Sequence, residues 1–183
     1  MRCLPMIIIM GLPGAGKSAV LNLLRSKRND YAIANYGDLM LEIEKEKGWV
    51  KDRDEMRKLP IEKQKIAQKL VAKKLAKEKG KFILDTHCSI STPNGYYPGL
   101  PFEFLKGLTV DKLVYITADS EEIAARRQND PTRIRDNDNI TEHDNINRAF
   151  LAAYAAFTGA PAKIIYNPQG KLEEAFNMLN SLL

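Results

Sequence analysis

Cysteine is scarce: Cys3 and Cys88 are the only two in 183 residues. Two such distant thiols give neither a disulfide framework nor a zinc-ligand spacing, and free thiols suit a reducing cytoplasm. No hydrophobic run approaches the ~20 residues that span a bilayer, so no membrane partner is expected. The opening Met1-Arg2-Cys3-Leu4-Pro5 and the aliphatic residues after it have the outline of a secretory leader. The small residues that would form its cleavage site belong instead to a glycine-rich loop with another use. Repeats, low-complexity tracts and linkers are also missing, and the composition, 44% hydrophobic and 28% charged, is that of one ordinary globular domain.

The net charge of +5 is unevenly made. Much of the lysine lies between Lys63 and Lys81, on a helical pattern without aromatic residues, which is a poor platform for nucleic acid and reads as a solvated face. Half of the arginines, Arg126, Arg127, Arg133, Arg135 and Arg148, fall in one stretch. A planar guanidinium suits bidentate phosphate binding better than an ammonium does, so this cluster is the functional feature of the charge pattern.

The stretch Gly11-Leu12-Pro13-Gly14-Ala15-Gly16-Lys17-Ser18 is a complete G-x-x-x-x-G-K-S phosphate-binding loop. It follows the apolar run Met6-Ile7-Ile8-Ile9-Met10 and precedes the helical pattern of Val20, Leu21, Leu23 and Leu24, the context the motif requires. Its glycines let successive N–H groups turn toward phosphate oxygens, Lys17 supplies a point charge, Ser18 a hydroxyl for Mg²⁺, and the helix start a positive dipole end. The site is expected to comprise Gly11, Leu12, Pro13, Gly14, Ala15, Gly16, Lys17, Ser18 and Ala19.

Further along, Tyr31 to Tyr36 reads as a second strand, and Gly37-Asp38 opens a helix with Asp38 as its N-cap. A polar turn at Lys51 to Asp54 leads to an amphipathic helix from Ile61 to about Lys79, with Ile66, Leu70, Val71 and Leu75 as its apolar face and Gly80 as its end. Phe82 to Asp85 is a third strand ending in a carboxylate, the position from which a phosphate-loop protein helps hold Mg²⁺. For Asp85 to reach Ser18 the third strand must lie beside the first, so the sheet order begins 2-3-1. Thr86 to Pro101 reads as a long loop of the kind that carries function. There His87 either touches a second substrate or serves structure, and Tyr96 and Tyr97 either frame a base or pack the loop. A fourth strand at Lys112 to Ala118 precedes the helix from Ser120 to Arg127. The proline-broken segment Gln128 to Asp136 reads as a short lid carrying Arg133 and Arg135. Thr141-x-x-Asp144 resembles a capping box for a helix that runs through Arg148 to Phe157, with His143 on its surface. A fifth strand at Lys163 to Tyr166 and a helix from Leu172 close the chain. The expectation is α/β: a five-stranded parallel sheet in the order 2-3-1-4-5, helices on both faces, and ligands at the carboxyl edge.

With these residues in view, the chain resembles the archaeal adenylate kinases, a branch of the phosphate-loop nucleoside monophosphate kinases. The likeness rests on the phosphate loop, Asn35-Tyr36-Gly37-Asp38-Leu39-Met40, Asp52 to Leu59, Asp85-Thr86-His87 with Thr92-Pro93 and Gly95 to Pro101, Asp130 to Arg135, and Thr158-Gly159-Ala160. It implies reversible, Mg²⁺-dependent transfer of a phosphoryl group from ATP to AMP, giving two ADP. It also implies a nucleoside-monophosphate-binding region at about 37–80, a lid at about 128–140 and a homotrimer, while composition and charge lead to the expectation of one cytoplasmic domain without a specific nucleic-acid partner. Ser18 and Asp85 would serve the metal, and Arg57 would pair with the AMP phosphate, near Asp38 and His87. Arg126 would stack on the donor adenine, Arg133, Arg135 and Arg148 would hold phosphates, and Arg127 is a further candidate. The turn from Asn167 to Gly170 would present backbone to the adenine. Bacterial and eukaryotic relatives place Gly-Phe-Pro-Arg after the third-strand aspartate. Thr86-His87-Cys88 stands here instead, which leaves open how the acceptor phosphate is held on that side. The lid has no cysteines, so no structural zinc is expected in it. The alternatives are a kinase for CMP or UMP, a nucleotide-dependent binding module or an RNA-associated ATPase. No Asn-Lys-x-Asp guanine-recognition stretch supports a switch.

Overall fold

A computed structural model of the chain describes residues 6–56, 58–78, 80–92, 94–129 and 139–183. In chain order the elements are β1 (Met6–Gly11), α1 (Lys17–Lys27), β2 (Tyr31–Asn35), α2 (Tyr36–Glu46), α3 (Arg53–Met56), α4 (Ile61–Leu75), β3 (Lys81–Thr86), β4 (Ser89–Thr92), β5 (Gly95–Pro98), α5 (Phe102–Leu105), β6 (Val110–Thr117), α6 (Ser120–Gln128), α7 (Ile140–Thr158), β7 (Ala162–Tyr166) and α8 (Leu172–Asn180).

Every residue of β1 is buried, as an aliphatic run covered on both sides must be. Successive side chains point to opposite faces. Met6, Ile8 and Met10 join Leu84, Leu113 and Tyr115 beneath α2, α4, α5 and α7. Ile7 and Ile9 join Ile83, Val114 and Ile116 beneath α1 and α8. Each fully buried aliphatic side chain contributes roughly 1.5–3 kcal/mol. The sheet is parallel, in the order β2-β3-β1-β6-β7. This is the expected order: β6 and β7 are the fourth and fifth strands of the sheet, and β4 and β5 form a separate antiparallel hairpin.

That hairpin lies in the stretch read as a loop, and its cross-strand pair of Ile90 and Tyr97 explains it: two residues suited to strands face each other. Three helix boundaries also differ. Helix α2 starts at Tyr36, and its cap is Asn35, whose Oδ1 accepts from the Asp38 N–H at 3.2 Å, so Asp38 lies in the first turn. Helix α7 is capped by Asn139, not Thr141, through a bond from the Glu142 N–H at 3.1 Å. Helix α4 stops at Leu75, short of Gly80, and buries Ala67, Val71, Ala72 and Leu75 while Ile66 faces solvent. No described helix is long and apolar enough to cross a membrane.

Glu44 is the oddity of this core. It sits on the inward face of α2 with Met40 and Ile43, 1% exposed, and its Oε2 has no hydrogen-bond partner among the described residues. Burial raises its pKa above the ordinary 4.5. The folded protein therefore holds this proton more tightly than the unfolded chain, and the associated stability is complete below about 4.5 and lost as pH rises through the folded value. Glu44→Gln is expected to stabilise the protein at neutral pH, because the amide carries no charge into the buried site whereas the carboxylate must either bury its charge or take up a proton there. Thermal melts across pH should show that gain vanish in acid.

Candidate active site

The loop between β1 and α1 is built for an anion. Gly14 and Gly16 have φ of 94° and 83°, a region L side chains avoid, and a Cβ on Gly16 would stand 2.3 Å from Asn167 Nδ2. Whereas α2 and α7 each carry an asparagine cap, α1 begins without a side-chain cap, so its first N–H groups face the loop. Lys17 is buried and bonded to Asp85 Oδ1, an ion pair with side chains 10% and 11% exposed. The sheet dictates the meeting: β3 lies beside β1, with Asp85 opposite Ile9, and its carboxylate emerges below the loop. Ser18 and Ala19 are exposed at the helix start.

Two arginines of α6 lie against the same loop. Arg127 Nε donates to the Pro13 carbonyl at 2.9 Å. Arg126 Nη2 donates to the Asn167 carbonyl at 2.9 Å and Nε to Gln169 Oε1 at 3.2 Å, while its buried Nη1 has no partner among the described residues. Asn167 in turn donates from Nδ2 to the Ala15 carbonyl at 2.9 Å. The turn after β7, the arginines and the phosphate loop are thus one hydrogen-bonded unit.

Arg148 stands at the carboxyl ends of β6 and β7. Its Nε donates to Asp144 Oδ2 at 2.7 Å and its Nη2 to the Tyr166 hydroxyl at 3.0 Å. Burial opposes its charge, yet these partners outweigh burial and leave its pKa raised. Asp144 also accepts from the Tyr115 and Thr117 hydroxyls at 2.8 and 2.7 Å. Burial, reinforced by Asp144, raises the Tyr115 pKa, so the phenol remains a donor. The network continues inward through Asn147, whose Nδ2 donates to the Tyr115 oxygen at 3.1 Å, to Ser89 on β4, whose hydroxyl donates to Asn147 Oδ1 at 2.6 Å. Ser89 Oγ also meets His143 Nε2 at 3.1 Å. Cys88 lies beside them, and burial pushes its thiol up to about 12, so it stays protonated and donates to the Asn147 carbonyl at 3.1 Å.

On the other side of Asp85, Asn35 Nδ2 donates to its Oδ2 at 3.0 Å. Asp38 projects from the first turn of α2 and pairs with Arg53 of α3 in an exposed ion pair. His87 is exposed just past β3.

A family model described as an AAA domain matches residues 10–144. The adenylate kinase of Methanopyrus kandleri is 49% identical over 176 residues, which cover 92% of each chain. That of Methanothermobacter thermautotrophicus is 45% identical over 183 residues, covering 97% of this chain and 98% of the relative. The chain belongs to the adenylate kinase family. It is therefore a phosphate-loop nucleoside monophosphate kinase. Among solved structures, shikimate kinase from Bacteroides thetaiotaomicron matches with a TM-score of 0.57 at 15% identity over 97% of each chain, a likeness of fold alone.

In this member of the adenylate kinase family the described arginines of the 126–148 cluster fall into two groups: Arg126 and Arg127 on the loop, and Arg148 on the network behind it. Arg57, Arg133 and Arg135 lie outside the described residues. His143, read from sequence as surface, is 3% exposed, with its ring 4.8 Å from that of Tyr96. The hairpin folds over it, a contact no local pattern announces. Asn35, Asn167 and Asp144 stand in motifs that the sequence displays, but nothing local assigns their side chains to the site. Asp144 precedes Arg148 by one helical turn, and that spacing signals an ion pair. Asn35 stands immediately before a helical pattern, the preferred place of a capping asparagine.

Proposed function

We propose that the enzyme reversibly transfers a phosphoryl group from Mg²⁺-ATP to AMP, giving two ADP. The observation that carries the reading is Asp85: one carboxylate oxygen faces Lys17 of the phosphate loop and the other faces Asn35 at the head of α2, so one group joins the donor loop to a second, separate element. The names of the two archaeal relatives support AMP as the acceptor.

The attacking group is already an anionic phosphate oxygen, so no general base is needed. Catalysis is alignment and charge neutralisation. Gly14, Gly16 and Lys17 cradle the donor phosphates, within a loop that runs from Gly11 to Ala19. Arg126 stacks on the donor adenine, beside the Asn167–Gln169 turn to which it is hydrogen-bonded. Arg148, with Arg133 and Arg135 from the lid, neutralises the transferring group. Arg57 pairs with the AMP phosphate, and Asp38 and His87 border that nucleotide. The acceptor region spans about 37–80 and the lid about 128–140. The lid excludes water, which would otherwise take the phosphoryl group.

The Ser18 hydroxyl and the Asp85 carboxylate are hard oxygen donors of the kind Mg²⁺ takes. Asp85 Oδ1, held by Lys17, is the oxygen that would be released to such an ion when the lysine turns to the donor phosphates. Ser18 and Asp85 would hold Mg²⁺, which would supply neutralisation of charge on the donor phosphates. The assembly is a cytoplasmic trimer, as in the family the sequence resembles.

The test is incubation with ATP and Mg²⁺ plus AMP, CMP, UMP or GMP in turn. Diphosphate is expected to form with AMP far faster than with the others. Equal rates with CMP or UMP would make it a broad monophosphate kinase, and phosphate release without any acceptor would overturn the reading.

A further inference from the structure

Asn35 ends β2 opposite Asp85 on β3, and both ends of its side chain are used. Nδ2 donates to Asp85 Oδ2 at 3.0 Å, and Oδ1 accepts from the Asp38 N–H at 3.2 Å. The orientation is fixed by chemistry, because a flipped amide would set oxygen against carboxylate and NH₂ against N–H. The backbone leaves room for this: a Cβ on Gly37 would stand 3.2 Å from Asn35 Oδ1, so glycine keeps the cap uncrowded. The other oxygen of Asp85 holds Lys17. One planar amide therefore ties the lysine of α1, the carboxylate of β3 and the first turn of α2, from which Asp38 continues to Arg53 of α3.

We infer that Asn35 is a positioning residue that transmits occupancy of the donor site to the acceptor helix α2. The inference rests on the reading of Lys17 and Asp85 as donor-side groups and of α2 as acceptor-side. The Lys17 ammonium is a point charge that must leave Asp85 to reach the β- and γ-phosphates. When it leaves, Oδ1 becomes free for the metal that would accompany the donor, and Asn35 remains the protein partner of the carboxylate at Oδ2, so exchange of the ammonium at Oδ1 is felt at the amide that holds Oδ2. Because the amide is rigid, fixing Nδ2 fixes Oδ1, and with it the N–H groups and side chains of the first turn of α2. By reciprocity, an acceptor that orders α2 steadies Asp85 for the donor.

Calorimetry tests this with the whole protein, titrating AMP with and without saturating Mg²⁺ and a non-hydrolysable imido analogue of ATP. In the natural protein the analogue should tighten AMP by ~5-fold or more, the lower end of measured couplings. Asn35→Ser keeps an oxygen that can cap α2 but has no NH₂ to reach Asp85. Its AMP affinity without analogue should stay within about threefold of the natural value, the analogue should change it less than about twofold, and kcat should fall more than KM for AMP rises. Asn35→Ala, which loses cap and bridge together, should also weaken AMP alone. Thermal melts establish that both variants fold. A serine variant that retains the natural coupling overturns the inference, as does a natural protein that binds both nucleotides with no coupling; in both cases the assignment of the two sites stands. If neither nucleotide binds the natural protein, that assignment falls together with the inference.

Discussion

Arg148→Ala is expected to lower kcat by ~10³-fold, within the range measured for arginines that neutralise a transferring phosphoryl group. ATP affinity should change much less, by about tenfold at most, because an interaction made only in the transition state does not hold the ground state. The structure supplies the control for folding. Asp144, the carboxylate that orients Arg148, keeps the Tyr115 and Thr117 hydroxyls as donors when the guanidinium is gone, so it is not left bare. The pair is also partly solvated, with side chains 32% and 16% exposed, and its loss should cost only about 1 kcal/mol. Arg148→Lys keeps the charge but not the fork that reaches Asp144 and Tyr166 at once, and should recover little. Arg135→Ala, in the proposed lid, is expected to show the same division between turnover and binding. Single-turnover rates and equilibrium titration of ATP check both. Equal losses in rate and affinity would contradict a transition-state role.

How far the sequence reveals such a site depends on whether each contact is local or distant. The sheet was legible because β1 and β3 are short aliphatic runs with turn signals at each end, and because a carboxylate ending one strand needs the phosphate loop on its neighbour. The cap of α2 was not. Asn35 and Asp38 are both good N-caps, three residues apart, and only the pairing of β2 with β3 decides between them by drawing the Asn35 amide to Asp85. The face of α4 was misread for a similar reason. Ile66 is apolar, but α2 and α5 pack close to α4, so small Ala67 and Ala72 are turned inward and Ile66 outward. His143 is polar and sits in a first helical turn, both signs of the surface. Its burial comes from Ser89 and Tyr96, some fifty residues away, on a hairpin that glycine and proline had disguised as a loop.

Lys17 carries two duties, and its replacement should expose both. Lys17→Met is expected to reduce kcat by ~10²–10³-fold or more, as removal of one preorganised charge from a transition state does. It should also lower stability, because the partner carboxylate is buried and loses its counter-charge, a defect that costs about 3–5 kcal/mol when nothing compensates. The bond from Asn35 softens that loss, so a value at the low end is expected. The two effects separate in the double variant Lys17→Met with Asp85→Asn. A neutral amide at position 85 needs no counter-charge, so the melting temperature should return most of the way to the natural value. Activity should stay lost, since the donor phosphates would then lack the lysine and the metal the carboxylate. Melts and a coupled ADP assay on the single and double variants decide the matter. A double variant that regained turnover along with stability would mean that Lys17 serves the fold alone.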